Sequence, residues 1–125
     1  MTALDQYLKA AGRVLLSLIF IWAGYGKLTS YAGAQGYMEK FGVPGELLPL
    51  VILTELGGGL AILAGWQTRW AALALAGFCV LSAVIFHTDF GTKVQIIQFL
   101  KNLGLAGGFL ILAAAGPGAL SVDKH

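Results

Sequence analysis

Two charged side chains lie inside long apolar stretches of this sequence, where an unpaired charge is poorly tolerated. Glu55 stands near the middle of one stretch, and Lys101, followed by Asn102, stands a few residues from the middle of another. A lone charge at the centre of a bilayer costs about 2.5–3.5 kcal/mol on insertion scales. We therefore predict a buried Glu55–Lys101 ion pair, or a Glu55–Asn102 hydrogen bond with Lys101 reaching toward the surface.

Further polar side chains fall at the same end of the apolar stretches and would extend this pair into a polar cavity. In such a cavity Lys101 and Asn102 would donate hydrogen bonds to the carbonyl groups of a quinone-like molecule. Glu55 or His87 would relay protons, since imidazole exchanges protons near neutral pH. The predicted ligand-binding residues are Lys27, Glu55, His87, Gln98, Lys101 and Asn102.

Each of these residues also has a purely structural interpretation. Lysine and histidine at helix ends commonly anchor a helix at the membrane surface, and asparagine within a span commonly bonds a neighbouring helix. The Glu55–Lys101 pair would then join two helices and bind nothing. No catalytic residue is assigned, because no hydrolase-like or phosphate-binding motif is present, and His87 near Asp89 is too weak a signal to predict a metal.

The elements that must position these residues are membrane helices. The chain has 125 residues, of which 58% are hydrophobic and 11% charged, whereas soluble domains carry about 25% charged residues. So short a chain cannot bury this apolar excess, which excludes a soluble globular enzyme. The net charge of +2 comes from scattered residues, which excludes a basic nucleic-acid-binding surface. The single cysteine, Cys79, excludes an internal disulfide or a Cys-x-x-Cys redox pair.

Four apolar stretches are each close to the roughly 20 residues that cross a bilayer. They predict an all-α fold over residues 1–125, an antiparallel up-down bundle of four transmembrane helices. The first stretch is longer than the apolar region of a cleavable signal peptide, so we expect it to remain in the protein. The predicted spans, separated in the first gap by a long loop over residues 29–46, are 8–28, 47–64, 70–86 and 94–115.

Small residues and basic residues indicate how these helices pack and how they are oriented. Glycine lets membrane helices approach closely, so Gly58, Gly59, Gly104 and Gly108 are predicted helix contacts. An even number of spans puts both termini on one side. Arg13 and Arg69 fall on that side, which favours cytoplasmic termini.

Short motifs follow one another along nearly the whole chain in an order typical of one family. They are Arg13-Val14-Leu15-Leu16-Ser17 followed by Phe20, Gly24 and Lys27; Phe41-Gly42-Val43-Pro44; Glu55 with Gly58-Gly59; Gly65 with Thr68-Arg69; His87; and Lys101-Asn102 with Gly107-Gly108. In order and spacing the chain resembles the DoxX family of small bacterial inner-membrane proteins. The resemblance implies a four-helix bundle in the bacterial inner membrane.

The resemblance leaves the activity open. The family takes its name from a subunit of an archaeal thiosulfate:quinone oxidoreductase, and other members are linked to oxidative-stress redox complexes. Distant relatives act as membrane cargo receptors or receptor-assembly chaperones. Quinone-reducing four-helix bundles that do thiol chemistry need cysteine pairs, so here a redox role would need a bound quinone and not a protein disulfide.

Three functions therefore stay open. The first is binding of a quinone-like or other small amphipathic molecule in the polar cavity, within a redox complex whose partner protein supplies the electrons. The second is a non-catalytic membrane scaffold or chaperone. The third is a small transporter, which would have to form a homodimer because four helices are few for alternating access; Gly104 and Gly108 are candidates for the contact between copies. No covalent cofactor is implied.

Overall fold

Four long helices, each apolar enough to cross a membrane, form the molecule together with one short helix. The computed structural model describes residues 2–123, and no strand occurs among them. The predicted all-α bundle with four transmembrane-type helices is confirmed, and the observed ends lie within five residues of the predicted ones. The helices are α1 (Ala3–Thr29), α2 (Tyr31–Lys40), α3 (Gly45–Ala64), α4 (Thr68–Phe86) and α5 (Lys93–Ala115).

Local sequence signals set where these helices begin. Thr2 and Asp5 form a capping box at the start of α1, in which the Thr2 side chain accepts from the Asp5 amide at 3.1 Å. The Thr92 side chain caps α5 by accepting from the Gln95 amide at 3.3 Å. α3 is irregular: it opens with a 3₁₀ turn and contains a π-helical turn over Leu53–Gly57.

The prediction of a loop over residues 29–46 is wrong, because ten of those residues form α2. Two glycines lower the helix propensity of this segment, so the sequence pattern does not indicate a helix there. Its helical structure comes from packing, since the buried Met38 contacts Leu48 and Ile52 in a small apolar cluster. α2 therefore covers the start of α3. We call this end of the bundle the α2 end and the opposite one, which holds both termini, the terminal end.

The four long helices pack in chain order. α4 and α5 share the most extensive contact, α1 lies along α3, and α1 approaches α5 only locally. The core lies between them, where the rings of Phe20 and Phe109 meet edge to face with centroids 5.4 Å apart. Cys79 is buried in this core, as expected of a small apolar side chain. Large apolar side chains such as Leu15 and Ile111 face outward, toward lipid.

Glycines allow the close approach of α1 to α3. A Cβ atom on Gly24 would lie 2.8 Å from Leu56 Cβ and 2.9 Å from its amide nitrogen, and one on Gly59 would lie 2.9 Å from Ile21 Cγ1. Gly58 faces Leu75 and Gly108 faces Leu16, both near 3.2–3.3 Å. The helix contact predicted at Gly104 is wrong within this chain, since a Cβ there would meet no atom within 4 Å.

We expect Gly24→Ala to destabilise the protein by about 1–3 kcal/mol, because the new methyl group would overlap the Leu56 backbone. Gly26→Ala is the matched control: a Cβ there meets nothing within 4 Å, and the change should be neutral or raise stability by up to about 1 kcal/mol. Equilibrium unfolding in mixed detergent and dodecyl sulfate measures both. Equal stability of the two variants would contradict the close packing at Gly24.

At the terminal end, residues 116–123 fold back across the bundle; we call them the C-terminal strap. Arg13, only 3% exposed, donates to the carbonyl oxygens of Leu63 at 3.0 Å, Ile62 at 3.3 Å and Leu120 of the strap. The Asp123 carboxylate accepts from the Gln67 and Thr68 amides that begin α4, at 3.0 and 2.9 Å. The strap thus joins α1 to the α3–α4 turn.

The turn itself requires glycine at position 65. Gly65 has φ +72, and a Cβ there would overlap Ser121 and lie 2.8 Å from Arg13 Nη1. Both the left-handed backbone and the approach of the strap therefore exclude a side chain.

Candidate functional site

An ion pair joins α1 to α3 toward the α2 end. Lys27 Nζ lies 2.7 Å from Glu55 Oε1. Glu55 is only 4% exposed, whereas the Lys27 side chain is about one third exposed. Glu55 occupies the π-helical turn of α3, and such turns occur frequently at functional sites. The structure thus holds a carboxylate inside the bundle with one cation beside it.

The predicted Glu55–Lys101 ion pair is wrong, and so is the alternative Glu55–Asn102 hydrogen bond. The close contact of Gly24 with Leu56 places the end of α1, and hence Lys27, beside Glu55. Lys101 and Asn102 lie on α5, which packs mainly on α4. The Asn102 side chain instead donates to the Gln98 carbonyl of its own helix, at 3.1 Å.

The ion pair borders a cavity of about 440 Å³ between α2, α3 and α4. Its lining residues include Glu55 and Phe78, which lie within α3 and α4, and His87, which directly follows α4 at the α2 end. Apart from Lys27, Glu55, Ser82 and His87, its walls are apolar or aromatic. The remaining lining residues are Ala34, Tyr37, Met38, Val43, Leu47, Leu50, Val51, Phe78, Leu81, Ile85 and Phe86.

An aromatic cluster fixes α2 over the cavity. The Tyr37 and Phe86 rings stack with centroids 5.4 Å apart, and Phe41 meets the edge of Phe86 at 5.0 Å. Tyr37 and Phe86 also line the cavity. Sequence reasoning missed these residues, although Tyr37 and Phe41 have the i, i+4 spacing of a helical aromatic pair.

His87 is held by a side chain from the next helix. Its Nδ1 lies 3.0 Å from Gln95 Oε1. When Gln95 accepts this bond, the proton of a neutral imidazole is on Nδ1 and Nε2 is an acceptor. A residue of α5 therefore orients the histidine at the edge of the cavity.

The remaining predicted site residues lie elsewhere. Gln98, Lys101 and Asn102 line a separate depression of about 360 Å³ between α1 and α5. The structure therefore brings together Lys27, Glu55 and His87 and separates the three α5 residues from them.

Comparison with known proteins places this architecture in a family. The family model for DoxX matches residues 8–88 of the chain. The chain belongs to the DoxX family. The DoxX chain is 57% identical over 112 residues to the Escherichia coli inner membrane protein YqjF, covering 90% of this chain and 86% of that protein. It is 34% identical over 120 residues to the E. coli inner membrane protein YphA, with the same coverages.

A more distant relative is a Surfeit locus protein 4 homolog of Drosophila melanogaster, 24% identical over 128 residues. That match covers 96% of the DoxX chain but 41% of the fly protein. No solved structure matches the chain. With four membrane-spanning helices and relatives named for the inner membrane, the DoxX chain is a multi-pass inner-membrane protein.

The DoxX match ends at a position that separates the two groups of site residues. Residues 8–88 contain Lys27, Glu55 and His87, whereas Gln98, Lys101 and Asn102 lie beyond the matched region. The part of the DoxX chain that the family model describes thus includes every lining residue of the 440 Å³ cavity. Among residues 2–123, no three His, Cys, Asp or Glu side chains are grouped as a metal site.

Proposed function

We propose that this DoxX protein binds a small quinone-like amphipathic molecule in the cavity between α2, α3 and α4. The observation that carries the proposal is the Lys27–Glu55 pair at the border of an otherwise apolar space of about 440 Å³. Small-molecule sites are mostly apolar pockets of about 300–1,000 Å³ with a few well-placed polar groups. A pair that only joined two helices would need no empty space beside it.

The ion pair supplies the polar contacts that such a head group requires. The Lys27 ammonium has three N–H donors, and its contact with Glu55 occupies one direction. Another N–H can donate to a quinone carbonyl oxygen. The Glu55 carboxylate holds the ammonium in place and offers an acceptor for a hydroxyl group of the reduced form.

The apolar walls suit the rest of the molecule. Tyr37 and Phe86 present aromatic rings against which a flat quinone ring can pack. Leu50 and Leu81, on α3 and α4, line the cavity and are 60% and 62% exposed on the outer surface of the bundle. A hydrophobic tail would leave the cavity between these two helices and continue into lipid.

We further propose that the site serves a membrane redox complex. Reduction of a quinone to its quinol takes two electrons and two protons. Glu55 and His87 are the lining residues able to pass protons to the head group. A partner protein would supply the electrons, because the lone Cys79 cannot form an internal disulfide. With Arg13 and Arg69 on the cytoplasmic side, the cavity would lie in the outer half of the membrane.

Short-chain ubiquinone or menaquinone analogues should stabilise the purified protein saturably, by about 2.7 kcal/mol at one hundred times the dissociation constant. Thermal unfolding in detergent measures this. Leu81→Trp, which fills the cavity, should abolish the effect, while Val84→Trp on the same helix leaves it unchanged because Val84 is exposed and does not line the cavity. The proposal would be refuted if neither ubiquinone nor menaquinone analogues stabilised the protein, or if they stabilised Leu81→Trp as much as Val84→Trp.

A further inference from the structure

A second groove lies on the other side of α1. α1 and α5 touch at mid-depth, where Phe20 packs on Phe109 and Leu16 lies 3.3 Å from the Cβ position of Gly108. Beside this contact lies a groove of about 360 Å³, lined on α1 by Leu16 and Ile19 and on α5 by residues between 98 and 105, which precede Gly108 and Phe109. Leu16 belongs both to the α1–α5 contact and to the lining of the groove, so the contact borders the groove.

The α1 wall of this groove is apolar, and the α5 wall carries three polar side chains beside Gly104 and Leu105. On α5, Gln98, Lys101 and Asn102 have the i, i+3, i+4 spacing that puts them on one face. On α1, the facing residues are Leu16 and Ile19. The Lys101 side chain therefore lines the same groove as apolar side chains of α1.

Lys101 has no counter-ion within the described chain. The carboxylate buried in the spans, Glu55, pairs with Lys27, and Lys101 forms no ion pair with any residue of 2–123. Lys101 lies eight residues after Lys93 at the start of α5, a depth of about 12 Å along the helix. Its side chain can extend toward the membrane surface, where an unpaired ammonium attracts an anion at the head-group level.

We propose that this groove binds one anionic phospholipid, with its phosphate at Lys101 and an acyl chain along Leu16 and Ile19. A lysine extending toward the surface meets the head-group level of the same leaflet. The apolar α1 wall, with Leu16 at the middle of α1, suits a tail that points to the membrane centre. A second copy of the chain docked symmetrically here would bring another Lys101 to the same place, and the like charges disfavour it.

The site can be tested by native mass spectrometry of the detergent-purified protein titrated with phosphatidylglycerol and, separately, with phosphatidylcholine. The wild type should bind one phosphatidylglycerol in preference to phosphatidylcholine. Lys101→Gln, which keeps a hydrogen-bond donor but removes the charge, should lower that preference about fivefold. Lys93→Gln on the same helix, outside the groove, is the matched control and should change it less than twofold.

A second variant tests the groove without changing any charge. Gly104 lines it, and a Cβ there meets nothing within 4 Å, so Gly104→Leu adds side-chain atoms to the groove from an open position. It should remove the single tight phosphatidylglycerol while Lys101 remains. The proposal is overturned if both variants bind phosphatidylglycerol like the wild type, or if Lys93→Gln loses as much preference as Lys101→Gln. Stoichiometric binding of a second copy in place of the lipid would also overturn it.

Discussion

Replacing Lys27 with methionine should destabilise the protein by about 3–5 kcal/mol, the usual cost of removing one partner of a buried ion pair. Glu55 is 4% exposed and would be left as an uncompensated charge among apolar side chains. Lys40→Met is the matched control, since Lys40 is exposed at the same end of the bundle and forms no ion pair within residues 2–123. Equilibrium unfolding of both variants in mixed micelles gives the difference.

The double variant Lys27→Met with Glu55→Leu separates a structural role from binding. Replacing both members of a buried pair by apolar residues of similar volume is often neutral or stabilising. We therefore expect the double variant to recover most of the lost stability but to lose stabilisation by quinone analogues. If it recovers stability and still binds the analogue like the wild type, the pair only joins α1 to α3. If the loss of stability in the double variant equals the sum of the losses in the two single variants, Lys27 and Glu55 have no interaction energy. That result would contradict an ion pair with a separation of 2.7 Å.

The second large effect is expected at Arg13, where methionine should destabilise the protein by about 3 kcal/mol or more. Its guanidinium donates to three carbonyl oxygens, two at the end of α3 and that of Leu120. A hydrogen bond to a charged group contributes about 1.5–3 kcal/mol. The stability of Arg13→Lys should lie between those of the wild type and Arg13→Met, because an ammonium group cannot donate to three carbonyl oxygens with the planar geometry of a guanidinium.

Arg69→Met provides the comparison for Arg13. Arg69 is exposed and donates to the Ala113 carbonyl at 3.3 Å, so its loss should cost less than about 1 kcal/mol. Unfolding measurements give the two stabilities, and limited proteolysis should show faster cleavage within residues 116–123 in Arg13→Met alone. Similar stabilities and cleavage rates for the two variants would contradict a strap held by Arg13.

The four spans could be predicted because each depends on local properties. A run of about 20 apolar residues must become a helix in lipid, since every backbone amide needs a partner there. α2 could not be found in this way. Its glycines weaken the helical signal, and its stability depends on contacts of Met38 and Tyr37 with residues distant in sequence.

The buried acid was recognisable from the sequence, but its partner was not. Position along a span gives the depth of a residue and says nothing about which helices are neighbours. Lys101 and Lys27 both lie toward the α2 end, and the choice between them depends on the fit of Leu56 against Gly24. That contact makes α1 the neighbour of Glu55 and leaves Lys101 on the far side of α1, beside Leu16 and Ile19.

The C-terminal strap also bears on how the protein moves. It ties α1, the α3–α4 turn and the end of α5 together through Arg13, Asp123 and Lys9, whose ammonium donates to the Ala115 carbonyl at 3.2 Å. Because these contacts hold the helices together at the terminal end, the helices can move apart more easily at the α2 end. A ligand that enters between α3 and α4 would therefore tilt these helices at the α2 end and displace α2. Amide hydrogen exchange should become faster at the α2 end, while amides at the terminal end stay protected.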